Sequence, residues 1–157
     1  MELGLDGTVR HGTRRPTSEL AVHLRAYHRR PDVRAVVHAH PPMATAFAVA
    51  GVPLETSALA ELRYSVGPVA SLPYGTPSTN AAADVFDPYW ASHDAFLMAN
   101  HGALTVGRSL VEAHQRMESL ENGARVMWAA RALGAVQHLN ADALATLDAL
   151  RAASRAL

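Results

Sequence analysis

The residues best suited to chemistry begin with two histidines in the segment VVHAHPP, residues 36–42. The apolar residues Val36 and Val37 predict a β-strand, in which successive side chains point to opposite faces of the sheet. His38 and His40 are therefore expected to project from the same face. Two imidazoles on one rigid face can bind a divalent metal ion together, although a lone His-x-His pair is about as often a packing feature.

A third histidine, His101, lies between two predicted strands at 95–99 and 103–106 and is followed by Gly102. A glycine there allows another part of the chain to approach closely. Three neutral imidazoles with an open fourth position form the ligand set of a catalytic zinc site. The other histidines are expected on the solvated surface; they are His11, His23, His28, His93, His114 and His138.

The composition limits the classes of function. The chain of 157 residues has 14 basic and 14 acidic side chains, so its formal net charge is zero. A neutral chain offers no electrostatic argument for binding nucleic acid or an anionic membrane. Cysteine is absent, so disulfides are excluded and any metal must be held by His, Asp or Glu. No apolar run approaches the ~20 residues of a membrane span, and we expect a cytoplasmic protein.

Helices and strands alternate along the sequence. Apolar periodicity predicts helices at 14–30, 42–51, 109–134 and about 140–155, and strands at 33–40, 95–99 and 103–106, with a further short strand and a Gly/Pro-rich loop within 67–79. Thr17 or Ser18 is the expected N-cap of the first helix, where Pro16 suits the first turn. This alternation predicts an α/β or α+β fold layered around one sheet.

Two long segments resemble the class II aldolase/adducin family: RPTSELAVHLRAYHRRPDVRAVVHAHPPMATAFAVAG and LMANHGALTVGRSLVEAHQRMESLENGARVMWAARALG. The most specific feature is the ordered set Ser–Glu, His-x-His-Pro and Asn-His-Gly. The resemblance runs from about Asp6 to Gly134. It implies an α/β fold with three layers, α/β/α, around a central and mostly antiparallel sheet, formed as a single domain over residues 1–157. Family members usually have further residues before this region, so we expect an N-terminally shortened version.

The resemblance also implies roles for individual residues. Three histidines match the family's ligands for one Zn²⁺ ion per chain: His38, His40 and His101. Glu19 matches the catalytic acid/base, and Thr17 and Ser18 match the hydroxyl pair that helps to hold the substrate phosphate. Hydroxyls and N–H groups at a helix start are suited to binding an anion. The simpler alternatives are an ordinary N-cap for the hydroxyls and a first-turn carboxylate for Glu19.

The activity implied by the resemblance is a zinc-dependent retro-aldol cleavage of a sugar phosphate or related sugar, through a zinc-stabilised enediolate, with Glu19 moving the proton. The chain contains no lysine, so a lysine Schiff base is excluded. Same-family epimerase, dehydratase or decarboxylase activity remains an alternative. So does a non-catalytic, adducin-like interaction domain, although such members lose the metal histidines and this chain keeps all three. A homo-oligomer, with a tetramer favoured, is expected from the apolar helices and the resemblance.

Overall fold

The computed structural model describes residues 1–156, and the side chains of residues 1–154. The strands are β1 Glu2–Leu3, β2 Val9–His11, β3 Ala35–Ala39, β4 Val69–Leu72, β5 Ala95–Met98 and β6 Gly102–Gly107. The helices are α1 Leu20–Arg29, α2 Pro42–Ala50, α3 Ala60–Ser65, α4 Asn80–Asp84, α5 Leu110–Leu133 and α6 Ala141–Ala156, with one 3₁₀ turn at Thr56–Ala58. Within this part of the chain, no helix is both long enough and apolar enough to cross a bilayer.

The central sheet has the strand order β3-β6-β5-β4. Strand β6 pairs antiparallel with both β3 and β5, whereas β4 and β5 are parallel. The mostly antiparallel sheet that the family resemblance implies is therefore confirmed. In the β3–β6 register His38 lies opposite Leu104 and Ala39 lies opposite Ala103, so the end of β3 is adjacent to the start of β6. This pairing positions the candidate site.

Both faces of the sheet are covered, which confirms the three layers. One core contains Val36 and Leu104 together with residues of α1 and α4. The opposite core contains Val37 and Ala103 with residues of α2, α3 and α5. Because side chains alternate along a strand, His38 projects on the side of Val36, which is the side covered by α1.

A buried carboxylate joins three helices to the sheet. Asp94 directly precedes β5 and is only 2% exposed. It accepts a hydrogen bond of 3.0 Å from Arg30, at the end of α1, and another from Arg151 of α6. The guanidinium of Arg116, on α5, lies 3.9 Å away. Surrounding cations offset the cost of burying this carboxylate, so α1, α5 and α6 are held at one end of β5.

The first helix differs from its prediction. Helix α1 begins at Leu20 rather than at residue 14, and Glu19, not Thr17 or Ser18, occupies the N-cap position. The hydroxyl of Thr17 instead accepts a hydrogen bond from the backbone N–H of Glu19 at 3.2 Å. Short hydroxyl side chains compete in this way with helical backbone bonds. The helix therefore starts after the hydroxyl pair, and the predicted start was wrong.

The remaining predicted elements agree with the structure to within one or two residues. Helix α2 ends at Gly51, which has φ +64° and so adopts the left-handed conformation that glycine tolerates. The prediction missed the short elements, which are β1, β2, the 3₁₀ turn, α3 and α4. These short elements lack the continuous apolar run that marks the predicted strands, so they carry too little pattern to be recognised from sequence.

Candidate functional site

Three histidines meet at the end of the sheet. The ring centroids of His38 and His40 are 5.0 Å apart, and each lies 4.9 Å from the ring of His101. One ligand nitrogen from each ring lies within 4.8 Å of the other two. The structure thus brings together the three residues that the sequence marked as candidate metal ligands. Their donor set, three imidazoles, is one that Zn²⁺ prefers.

The ring of His38 is oriented by the neighbouring strand. Its Nδ1 lies 2.9 Å from the carbonyl oxygen of Ala103. A carbonyl can only accept, so Nδ1 carries the proton and Nε2 keeps its lone pair, as a metal ligand requires. Burial lowers the pKa of His38, and the nearby His101 and His40 lower it further, against the raising effect of the Ala103 bond. A lowered pKa favours the neutral, metal-binding form of the ring.

His101 is placed by a tight turn between β5 and β6. Asn100, just before it, has φ +57°, and the backbone N–H of His101 donates to the carbonyl of Met98 at 3.0 Å. Among the described residues, Nδ1 of His101 is buried without a hydrogen-bond partner. An unpartnered buried nitrogen costs about 1–3 kcal/mol. A divalent ion is a chemically suitable partner for such a cluster, so these residues fit a bound metal.

Glu19 is buried at the start of α1, with 6% of its surface exposed. Its Oε1 accepts the backbone N–H of Ser78 at 3.1 Å, whereas its Oε2 is buried and has no hydrogen bond within the described chain. The charge of Glu19 opposes the lowering of the pKa of His38 and of His23 that burial causes. The carboxylate therefore lies within electrostatic range of the histidine cluster. Sequence reasoning missed the contribution of Ser78, whose backbone has φ +65°.

The two candidate phosphate ligands lie beside Glu19. Thr17 and Ser18 are exposed and immediately precede the N-cap of α1. The hydroxyl oxygen of Thr17 already accepts the N–H of Glu19, so it helps to fix the local backbone. Its hydroxyl hydrogen remains suited to donation to an anion. Both residues therefore lie directly before the candidate catalytic residue Glu19 in the chain.

Two of the other histidines are only partly exposed. His23 and His93 are half-buried, and burial lowers the pKa of each. The prediction of a fully solvated surface position therefore holds only in part for these two. The remaining four histidines are exposed.

Comparison with known proteins identifies the family of this chain. The family model described as the class II aldolase and adducin N-terminal domain matches residues 1–128. The chain is 34% identical over 146 residues to 5-deoxy-D-ribulose 1-phosphate aldolase of Bacillus thuringiensis serovar kurstaki, covering 92% of this chain and 68% of that protein. It is also 34% identical over 118 residues to 3-oxo-tetronate 4-phosphate decarboxylase of Escherichia coli K12, covering 73% of this chain and 56% of that protein.

The solved structure of an L-fuculose 1-phosphate aldolase is similar too. It has a TM-score of 0.83 and 29% sequence identity, and the match covers 92% of this chain and 68% of that one. The protein described here belongs to the class II aldolase and adducin family. It spans between about half and two thirds of the length of the curated relatives it matches.

Gly102 should be essential to the arrangement of the cluster. A Cβ atom there would clash with Cδ2 of His40 and would lie 2.7 Å from the carbonyl oxygen of Ala39. Because the second contact is with backbone, we expect Gly102→Ala to lower the free energy of unfolding by about 1–3 kcal/mol. We expect it also to weaken zinc binding at least about tenfold. Urea denaturation and competition with a zinc chelator measure the two effects.

The matched control is Gly51→Ala. Gly51 has φ +64° but no atom within 4 Å of the added methyl group. That variant should lose about 1 kcal/mol of stability through backbone strain alone and keep its zinc affinity. Equal zinc affinity in Gly102→Ala and wild type would contradict the role assigned to this glycine.

Proposed function

We propose that the protein is a metal-dependent carbon–carbon lyase that cleaves a sugar phosphate or related sugar by a retro-aldol reaction in the cytoplasm. The observation that carries this proposal is the convergence of His38, His40 and His101, within electrostatic range of the buried carboxylate of Glu19. Membership of the class II aldolase and adducin family and the named aldolase relatives support it. We propose further that residues 1–157 form one domain of this family, acting in carbohydrate metabolism.

In this proposal the three histidines hold one Zn²⁺ ion. When bound, the ion supplies Lewis-acid polarisation of a carbonyl oxygen. The chain's own contribution is to fix the ring of His38 through Ala103, and to keep it neutral through burial. The turn at Asn100 holds His101 opposite the β3 pair.

Glu19 is the proposed acid/base. Its Oε1 is held by the Ser78 N–H, which leaves Oε2 as the oxygen that can take a proton from substrate or return one to it. A buried, oriented carboxylate within electrostatic range of the cluster is suited to general acid/base catalysis. Thr17 and Ser18, at the same helix start, are the proposed ligands of the substrate phosphate. Their exposure leaves them accessible to it.

A decarboxylase is the second candidate. The observation that favours it is the 34% identity to the Escherichia coli 3-oxo-tetronate 4-phosphate decarboxylase. Retro-aldol cleavage and decarboxylation of a 3-oxo acid both break a carbon–carbon bond at the α carbon of a carbonyl group and leave the bonding electrons on that carbon, so the same histidines and carboxylate could serve either reaction. Product analysis separates them, because the aldolase releases two carbonyl compounds and the decarboxylase releases carbon dioxide.

The first prediction of this proposed function concerns metal content. Purified in zinc-supplemented medium, the protein should contain about one equivalent of zinc per chain. His38→Ala should contain less than about a tenth of an equivalent after dialysis, because two imidazoles bind far more weakly than three. His28→Ala, which removes an exposed histidine of α1, is the control and should keep its zinc. Elemental analysis that finds wild type as poor in zinc as His38→Ala would refute the metal site.

The second prediction concerns Glu19. Glu19→Gln keeps an oxygen for the Ser78 N–H but cannot carry the proton, so the protein should fold, retain zinc and lose about 10²–10⁴ in rate. The rate is measured as carbonyl formation from sugar phosphates accepted by wild type, after zinc content has been matched. Glu61→Gln is the control, since Glu61 is an exposed first-turn carboxylate of α3. A Glu19→Gln rate above about half that of wild type would exclude Glu19 as the base.

The third prediction concerns assembly. We propose a homotetramer, supported by apolar side chains that the single chain leaves exposed on α2 and α5. Val49 is 57% exposed, Trp128 is 60% exposed and Leu133 is 91% exposed. Light scattering should give four times the 16.7 kDa mass of the chain, and Trp128→Glu should shift the protein to smaller species. A wild-type monomer at every concentration would contradict the proposal.

A further inference from the structure

The connection between His40 and α2 consists of two prolines. Pro41 occupies the N-cap position of α2 with φ −67° and ψ 133°, and Pro42 is the first helical residue. Helix N-caps are usually Ser, Thr, Asp or Asn, whose side-chain oxygens accept free N–H groups of the first turn. Proline has no such oxygen, and no side-chain cap bond is made by the N-cap residue. Another part of the chain must therefore accept hydrogen bonds from the free backbone N–H groups at the start of α2.

Glu121, from the middle of α5, supplies the acceptor oxygens. The N–H of Thr45 already bonds to the carbonyl of Pro41 at 2.8 Å, so Met43 and Ala44 carry the remaining N–H groups of the first turn. Oε2 of Glu121 accepts from both of them at 2.9 Å, and its Oε1 lies 3.1 Å from the nitrogen of Met43. One carboxylate thus caps the helix from a distance of 77 residues along the chain.

The interaction is of a strong kind. The side chain of Glu121 is only 16% exposed, and Arg125 lies 3.7 Å from its Oε1. A carboxylate that accepts backbone N–H groups makes charge-assisted hydrogen bonds, and the positive end of the helix dipole adds to the attraction. Partial burial limits competition from water. The start of α2 is therefore fixed to α5 by a specific polar contact as well as by apolar packing.

We propose that Glu121 is a positioning residue for His40, acting through the two prolines; this rests on the proposed metal site. The φ angles of Pro41 and Pro42 are fixed by their rings, so little backbone freedom separates the imidazole from the capped turn. A movement of the start of α2 would therefore also move His40, because the two prolines between them have little freedom to change conformation. Glu121 thereby holds this imidazole at the distance it has from His38 and His101.

The test is zinc affinity, measured on the full chain by competition with a chromogenic chelator. Glu121→Ala should weaken zinc binding about 10- to 100-fold, the usual effect of losing a group that orients a ligand. Glu121→Met keeps the length of the side chain without its oxygens and should show the same loss, which covers the case in which the alanine variant does not fold. Glu121→Gln retains an acceptor oxygen and should stay within about threefold of wild type.

Glu118→Ala is the matched control. Glu118 lies on the same helix with its side chain 68% exposed, and it lies 3.5 Å from the exposed His114. Its loss should leave zinc affinity unchanged. A purely structural role of Glu121 would lower the thermal stability of the metal-free protein and leave zinc affinity at low temperature within about twofold of wild type. That outcome would overturn the proposal.

A double-mutant cycle decides whether the effect passes through His40. In a His40→Ala background, the residual zinc affinity should not fall further on Glu121→Ala, whereas in a His101→Ala background the loss should persist. An equal further loss in both backgrounds would mean general loosening of the fold and would overturn the inference. If wild type itself binds no zinc, the metal site fails and this inference fails with it, a result distinct from unchanged affinity in the variants.

Discussion

The antiparallel pairing of β3 with β6 is the constraint on which the site depends. It sets His38 opposite Leu104 and brings the end of β3 beside the turn that carries His101. A shift of one residue in this register would exchange the faces of β3. It would move Val36 out of the core below α1 and would turn the histidines to the opposite face of the sheet, away from α1. Burial of the strand's apolar residues therefore fixes the geometry of its polar ones.

The helices contribute carboxylates near the histidine cluster and at the start of α2. Helix α1 brings the carboxylate of Glu19 to the histidine face, and its other end is tied to the sheet where Arg30 meets the buried Asp94. On the opposite face α5 contributes Glu121 to the start of α2. A charged group removed from water is stable only when its partners are held in place. These two carboxylates, Asp94 and Glu121, therefore reinforce the layer packing that apolar contacts establish.

Unusual local features gather near the histidines. Within the described chain the non-glycine residues with positive φ are Ser78 and Asn100. Ser78 supplies the N–H that bonds to Glu19, and Asn100 directly precedes His101. Two of the buried side-chain atoms without hydrogen bonds belong to the same site, Oε2 of Glu19 and Nδ1 of His101. Strained backbone and unpartnered polar atoms are costly and concentrate where a ligand or reaction uses them.

By itself the sequence determined the features that depend only on neighbouring residues. The period of two along β3 put His38 and His40 on one face, and the proline and glycine at the ends of α2 set its bounds, because these are consequences of covalent geometry within a few residues. Tertiary structure alone decided which distant groups meet. The hydrogen bond from the Ser78 backbone to Glu19 spans 59 residues of chain, and the capping of α2 by Glu121 spans 77. Neither leaves a local sequence pattern, since both depend on how the layers pack.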